Sequence, residues 1–389
     1  MFYGTMRRLC RILVIFPPLL FLSLALFSTT SSRLPLVSLD LHSLGYLTPV
    51  AERDIRSLAF LDASPAFLDD ETLAVSFLVA NEHPGPSKRD APMGSPVLFH
   101  TALLNPLNGQ LYRQRSWGNA GNWQVFLPLK NSRFFVQDSD QIAVYSRDLE
   151  EIASARLQLT GDLYPRFALS PSGDTLFSFS DSYDVKNGWR TRIDIIDPGH
   201  LTSKPWTFTI VHRFEAVSNT RVVFALALQA AAPLGLFVQK IDAPAPSETR
   251  ALFAPHQEIA KTIAGSGCDS ATFVSESVLA ISGNCSHVFL VRDGEIIQAI
   301  DAPAYRFGSD FRASRDRNRF AFSRSQSISH TDRIFNLEVC VYDMDRKQII
   351  FTAPASPLPQ HKLDYALSPD GSLFAVQSDN LLRVWSLPN

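Results

Sequence analysis

Apolar and small side chains alternate with polar ones in short runs along most of this chain, and turn residues punctuate the runs. The last stretch, YALSPDGSLFAVQSDNLLRVWSLPN, holds two runs joined by Ser368-Pro369-Asp370-Gly371 and a third after Asp379-Asn380. Proline presets the first central angle of a tight turn, and glycine adopts positive φ without a side-chain clash. The phrase therefore predicts three antiparallel strands in a meander. Much earlier, FALSPSGDTLFSFS says almost the same thing.

The grammar of strand, polar turn, strand, excursion, strand recurs throughout. SPAFLDDETLAVSFLV with VLFHTALLNPLNGQLYRQRSW is one unit, and VFLPLKNSRFFVQDSDQIAVYSRDLEEIASARL is the next. RFALSPSGDTLFSFS with TRIDIIDPGHLTSKPWTF and EAVSNTRVVFALAL with LGLFVQKIDAPAPSETRALF continue the series. DSATFVSESVLAISG with HVFLVRDGEIIQAID, DFRASRDRNRFAFSRS with LEVCVYDMDRKQIIF, and the C-terminal phrase complete it. A period of about 45 to 50 residues is that of β-propeller blades, and no 3.6-residue periodicity of a helical solenoid accompanies it. The expected fold is all-β: a seven-bladed β-propeller of four-stranded antiparallel blades over residues 54–389. The 28 phenylalanines are expected to pack between blades.

The final unit stops at Asn389 after its third strand. A blade left one strand short would expose an unpaired edge, so a strand from the N-terminal side is expected to close the ring. That strand is expected somewhere within Leu36 to Phe60, with LPLVSLDLH and RSLAFLD as the two candidates. Three polar stretches, NEHPGPSKRDAPMGSP, SDSYDVKNGWRTR and SQSISHTDRIFN, are read as loops between second and third strands. They are solvated hairpin tips or, in the sharper reading, a partner-binding rim.

Composition narrows the setting. With 36 basic and 38 acidic residues the net charge is -2, which offers no global field for nucleic acid. Residues 1–32 place Arg7, Arg8 and Arg11 before an apolar run from Ile12 to Phe27 and small polar residues after it, the order of an export signal. Pro17 and Pro18 interrupt the run, which leaves three readings: a cleaved signal peptide, a retained N-terminal anchor, or a buried core segment. Residues 33–53 read as a Ser-, Thr- and Pro-bearing linker with a possible closing strand. The expected location is secreted or periplasmic, with membrane attachment only through the N-terminal segment.

Of four cysteines, Cys268 and Cys285 bracket a hairpin whose turn is expected at Glu276-Ser277. That register would set the two sulfurs opposite each other, as a disulfide requires; free thiols and part of a metal site are the other readings. Cys340, in the apolar run LEVCVYD, is expected to be a buried small hydrophobe. No phosphate loop, H-E-x-x-H, G-x-S-x-G or C-x-x-C motif occurs, and nine histidines are scattered singly. Acidic pairs such as Asp69-Asp70 and Glu150-Glu151 fall at expected turns, where Asp caps local N–H groups. No catalytic, cofactor-binding or metal-binding residue is indicated.

ALLNPLNGQLYRQRSW resembles the strand-turn-strand motif of quinoprotein propellers, although Trp117 falls several residues late after Asn108-Gly109 and the other units lack both landmarks. The SPDGSLFAV and SPSGDTLF phrases, with endings Val341-Tyr342-Asp343 and Val384-Trp385-Ser386, resemble the WD-repeat propeller superfamily without its Gly-His dipeptide. Residues 54–389 are similar to exported propeller proteins of acidobacterial type through the run at Phe67 to Leu78 and the cysteine-bracketed fifth unit. That resemblance implies a non-catalytic scaffold. The expectation is an exported, monomeric binding protein with a protein partner and no cofactor. The alternative is a propeller enzyme of quinoprotein, lactonase or lyase type, its site at the mouth of the central channel.

Overall fold

The computed structural model describes residues 33–47, 65–80, 97–119, 124–138, 140–157, 165–184, 188–207, 213–226, 235–240, 250–251, 268–283, 287–301, 311–327, 334–359 and 363–389. Residues 1–32, the export-signal reading, and the candidate strand RSLAFLD lie outside them. Among the described residues no helix is long and apolar enough to cross a membrane.

The fold is an all-β propeller of four-stranded antiparallel sheets, each wound in sequence order from an inner to an outer strand. The first sheet spans 66–119, the second 124–156, the third 166–207 and the fourth 213–251. The fifth spans 268–301 and the sixth 312–354. The last is built from Leu363–Leu367, Leu373–Ser378 and Leu381–Ser386, and its outer strand is Val37–Asp40 from the other end of the chain. Val37 lies opposite Val384 and Asp40 opposite Leu381. Closure thus uses LPLVSLDLH. The clasp continues past the strand: Leu41 N–H donates to Asn380 O at 2.7 Å, and Asp40 Oδ1 accepts from Asn380 Nδ2 at 2.8 Å.

Alternation along each strand sends successive side chains to opposite sheet faces, and each face meets a neighbouring sheet. Phe67 and Phe77 pack with Ala366, Phe67's seam also holding Leu373 and Val384 of the last sheet, whereas Ala66, Leu68 and Phe99 pack with Phe126 and Phe134 of the second. The same arrangement joins second to third through Phe135 and Phe167, third to fourth through Phe179 and Val222, and fourth to fifth through Val223 and Phe273. Val278 and Phe320 join fifth to sixth, and Val341 and Phe374 join sixth to last.

The inner hairpins are buried on both faces. In Leu373–Ser378 all six residues are buried, Gln377 included. Exposure alternates on outer strands such as Glu151–Arg156. Two stretches read as loops carry strand at both of their described ends. Leu176–Asp184 pairs with Gly188–Asp197 out to Asp184 opposite Gly188, and Arg319–Ser327 pairs with Ile334–Asp343 out to Ser327 opposite Ile334. Continuing the ladder gives the backbone of a protruding hairpin hydrogen-bond partners that loose loops would lack. The stretch NEHPGPSKRDAPMGSP lies outside the described residues.

Candidate functional site

The innermost strands surround a central cavity of about 450 Å³ whose walls include Phe67, Phe167, Val217, Phe273, Phe311 and Leu367. At one end the first and second strands of each sheet are joined by tight turns. The sequence writes these turns as Ser-Pro-Asp-Gly or its variants. In the last sheet Gly371 N–H donates to Ser368 O at 2.9 Å with Gly371 at φ +68°, and Asp370 Oδ1 accepts from Ser368 Oγ at 2.6 Å and Ser372 N–H at 2.8 Å.

These turns are tied to one another. Asp370 N–H donates to Asp70 Oδ1 at 3.0 Å, linking last sheet to first, and Asp316 N–H donates to Pro369 O at 2.9 Å, linking sixth to last. Lys130 N–H donates to Gly173 O at 3.1 Å between second and third. Glu276 of the fifth sheet accepts from Ser172 N–H at 3.1 Å and from Asn219 N–H at 2.7 Å, in the third and fourth sheets. Arg315 of the sixth reaches across to the first and second sheets: Nη2 donates to Leu68 O at 2.8 Å and Nη1 to Leu129 O at 2.8 Å.

A cleft of about 500 Å³ opens between the turns of the fifth and sixth sheets, beside Ser275, Glu276, Arg317 and Asn318. Its inner wall carries a buried ion pair. Arg319 Nε donates to Asp343 Oδ2 at 3.1 Å, Nη1 to Gly371 O at 2.7 Å and Nη2 to Pro388 O at 2.9 Å. Asp343 Oδ1 accepts from Asp345 and Arg346 N–H. Arg319, held within the sixth sheet by the aspartate of Val341-Tyr342-Asp343, thus ties that sheet to the last.

Electrostatics follow from this geometry. Burial pulls the Arg315 guanidinium below its ordinary range, against Asp316, Asp70, Asp69 and Asp174. Burial raises the Asp70 carboxyl. Burial also works to raise Asp370, yet the bonds from Ser368 and Ser372 hold it below the usual carboxylate value.

Cys268 is buried at the start of the fifth sheet, opposite Gly283; Cys285 lies outside the described residues. The first strand ends at Phe273 and the next begins at Val278, so the hairpin loop holds four residues, 274–277, rather than the two expected at Glu276-Ser277. A register shift between Cys268 and Ser270 follows, which sets Cys268 opposite Gly283. Cys340 is a fully buried free thiol, its Sγ 3.8 Å from Thr352 Oγ1, and burial pushes it up to about 11. His42 and His200 sit at turns with Asp40 and Asp197, but His100 is mid-strand, buried, its Nδ1 2.8 Å from Ser116 Oγ. Trp117 docks between the first and second sheets against Phe99, Phe134 and Tyr145. Among the described residues no three His, Cys, Asp or Glu side chains gather closely enough to hold a metal.

Sequence reasoning missed Arg315, Arg319 and Glu276. The available signal was SRDRNR, three arginines occupying the turn position where other units carry Pro or Gly.

No family model matches the chain, and no curated protein matches it. Solved structures do. A chain of the mitotic checkpoint complex crystal structure superposes with a TM-score of 0.53 at 11% identity, over 92% of this chain and 97% of that one. An uncharacterized protein of Listeria monocytogenes EGD-e gives 0.49 at 12% identity over 85% and 96%, and Kuenenia stuttgartiensis hydrazine synthase 0.46 at 13% over 79% and 99%. At these identities the likeness is one of fold, and the fold this chain shares is the β-propeller.

Proposed function

We propose that this chain is an exported binding scaffold, a ring of seven blades of the WD-repeat-like kind that holds a protein partner and carries out no reaction of its own. The observation that carries this reading is the use made of charge on the turn face. Glu276, Asp70 and Arg315 accept from or donate to backbone groups of other sheets. Groups so engaged rigidify the ring, whereas a general acid or base needs access to substrate. The blade number is supported by inter-sheet hydrophobic seams that run from first to last sheet and back to the first. Export rests on the order of residues 1–32, and oxidation of Cys268 with Cys285 would accompany it. The chain is proposed to act as a monomer.

Because neighbouring strands are antiparallel, the ends that flank residues 81–96 and 328–333 lie opposite the tight turns. We place the partner on that rim, opposite the tight turns. Crosslinking in the cell followed by peptide mapping tests this: crosslinks should concentrate on that rim. Crosslinks concentrated on the turn face, or turnover by the purified protein, would overturn it.

A further inference from the structure

The ring closes between its first and last sheets, and on the turn face that seam brings together two acidic residues 300 positions apart in sequence. Asp70 sits in the turn between Ala66–Asp69 and Thr72–Ala80, and Asp370 in the turn between Leu363–Leu367 and Leu373–Ser378. Asp370 N–H donates to Asp70 Oδ1 at 3.0 Å, and the two carboxyl groups lie within hydrogen-bond reach of each other. Two carboxylates bring only acceptors to that contact, so it is repulsive until one of them carries a proton.

The donors around the pair decide which one. Three converge on Asp370 Oδ1: Ser368 Oγ at 2.6 Å, Ser372 Oγ at 2.7 Å and Ser372 N–H at 2.8 Å. Against its own desolvation they hold Asp370 below the usual carboxylate value and keep it an acceptor. Asp70 has the N–H bond from Asp370, and desolvation followed by the charge of Asp370 raises it. Asp316 of the sixth sheet adds a further carboxylate against Asp70, and Arg315 beside it answers part of that charge from a position fixed by the Leu68 and Leu129 carbonyls. Arg317 and Arg319 pass beside Gly371, next to Asp370, and Arg319 is engaged with Asp343. In the first turn Asp69 pairs with Arg147 at 3.5 Å, and Glu71 follows.

We propose that Asp70 and Asp370 form an acid-set clasp on the ring: in a mildly acidic medium Asp70 takes up one proton, its contact with Asp370 becomes a hydrogen bond, and the last sheet closes more tightly on the first. Asp70 is exposed, so its proton exchanges freely with the medium. A raised Asp70 binds its proton in the folded chain where the unfolded chain is still ionised, so its contribution is absent at neutral pH and appears as pH falls through the folded value. Asp370, whose value is lowered, gives up its own contribution only below the ordinary aspartate value of about 3.9, so the clasp is strongest between the two titrations. The device needs neither the protein partner nor the opposite rim, so it can fail without the binding reading failing.

Urea unfolding of the full chain and two variants at about pH 7.5 and about pH 4.5 tests it. D70N keeps an acceptor for Asp370 N–H and sets an amide donor against the Asp370 carboxylate at every pH. It should have a higher urea midpoint than the parent at about pH 7.5 and lose that advantage at about pH 4.5. D370N removes the carboxylate to which the proton would bridge, and it should gain nothing on D70N over the same interval. A D70N midpoint at or below the parent's at about pH 7.5, an advantage of equal size at both pH values, or a D370N variant that gains on acidification as the parent does would each overturn the proposal.

Discussion

The Arg319–Asp343 pair should be the most consequential single contact on the turn face. Both side chains are nearly inaccessible, at 4% and 6% exposure, so solvent screens their attraction little. Arg319 donates to Asp343, Gly371 O and Pro388 O. Three hydrogen bonds from a charged group, at about 1.5–3 kcal/mol each, set an upper limit on its contribution. Removing one member of a buried pair leaves the other charge stranded, a loss of about 3–5 kcal/mol. R319M should fall in that range, since it orphans two carbonyls and the Asp343 carboxylate together. D343L should cost a similar amount, because two backbone N–H groups lose their acceptor along with the guanidinium. The double variant R319M/D343L should cost well under the sum of the singles, since neither charge then remains buried and alone. Urea unfolding followed by tryptophan fluorescence reads all three, with Trp385 buried in the adjoining seam. Single variants costing under about 1 kcal/mol, or a double variant that is simply additive, would refute the reasoning.

Leu41 is fully buried beside the closing strand, so L41A should cost about 2–5 kcal/mol in the same unfolding assay. Deleting residues 33–47 strips Leu381–Ser386 of its partner strand, and the exposed edge should promote association detectable by light scattering; a monodisperse variant would show that closure is dispensable. Peptide mapping without reduction should recover Cys268 joined to Cys285 and Cys340 as a thiol, with the bridge contributing about 3 kcal/mol. Quantitative alkylation of Cys268 in the unreduced native protein would exclude the bridge. His100 gives a pH signature. Burial holds its imidazole below the usual value, so the unfolded chain takes up a proton that the folded one refuses, and stability falls as pH drops below about 6.5. H100Q should flatten that slope between about pH 7.5 and 5.5 relative to the parent, and matching slopes would show that the site does not contribute.

Much of the fold was legible because its signals are local. Ser-Pro-Ser-Gly at 170–173 and Ser-Pro-Asp-Gly at 368–371 encode turns through the angles that Pro and Gly adopt, and both occur where expected with positive φ at Gly173 and Gly371. The missing outer strand followed from a count of strands in the final unit, and Val37–Asp40 supplies it. What escaped the sequence depends on neighbours. The polar Gln377 and Ser378 of LFAVQS give no local sign of burial, yet the adjacent sheets cover both faces of that strand. The loop at 274–277 differs from the two-residue expectation because the run DSATFVSESVLAISG has no Gly or Pro at its turn to fix the register. The reach of Arg315 from the sixth sheet to the first and second is a property of the closed ring, and no spacing along the chain encodes it.

The turn 314–319 separates two uses of the same side chain. Arg319 points between sheets, where a carboxylate and two carbonyls meet it, and its role is cohesion. Arg315 borders the cavity, where carbonyls of the first and second sheets fix its position and the carboxylates of Asp316, Asp70, Asp69 and Asp174 favour its charge without pairing directly with it. Its role is cohesion as well, across three sheets. The two arginines should then separate by experiment: R319M strands a buried carboxylate, whereas R315Q strands only backbone carbonyls, so R315Q should cost less in urea unfolding. Equal losses would show that the direct carboxylate partner adds nothing to cohesion.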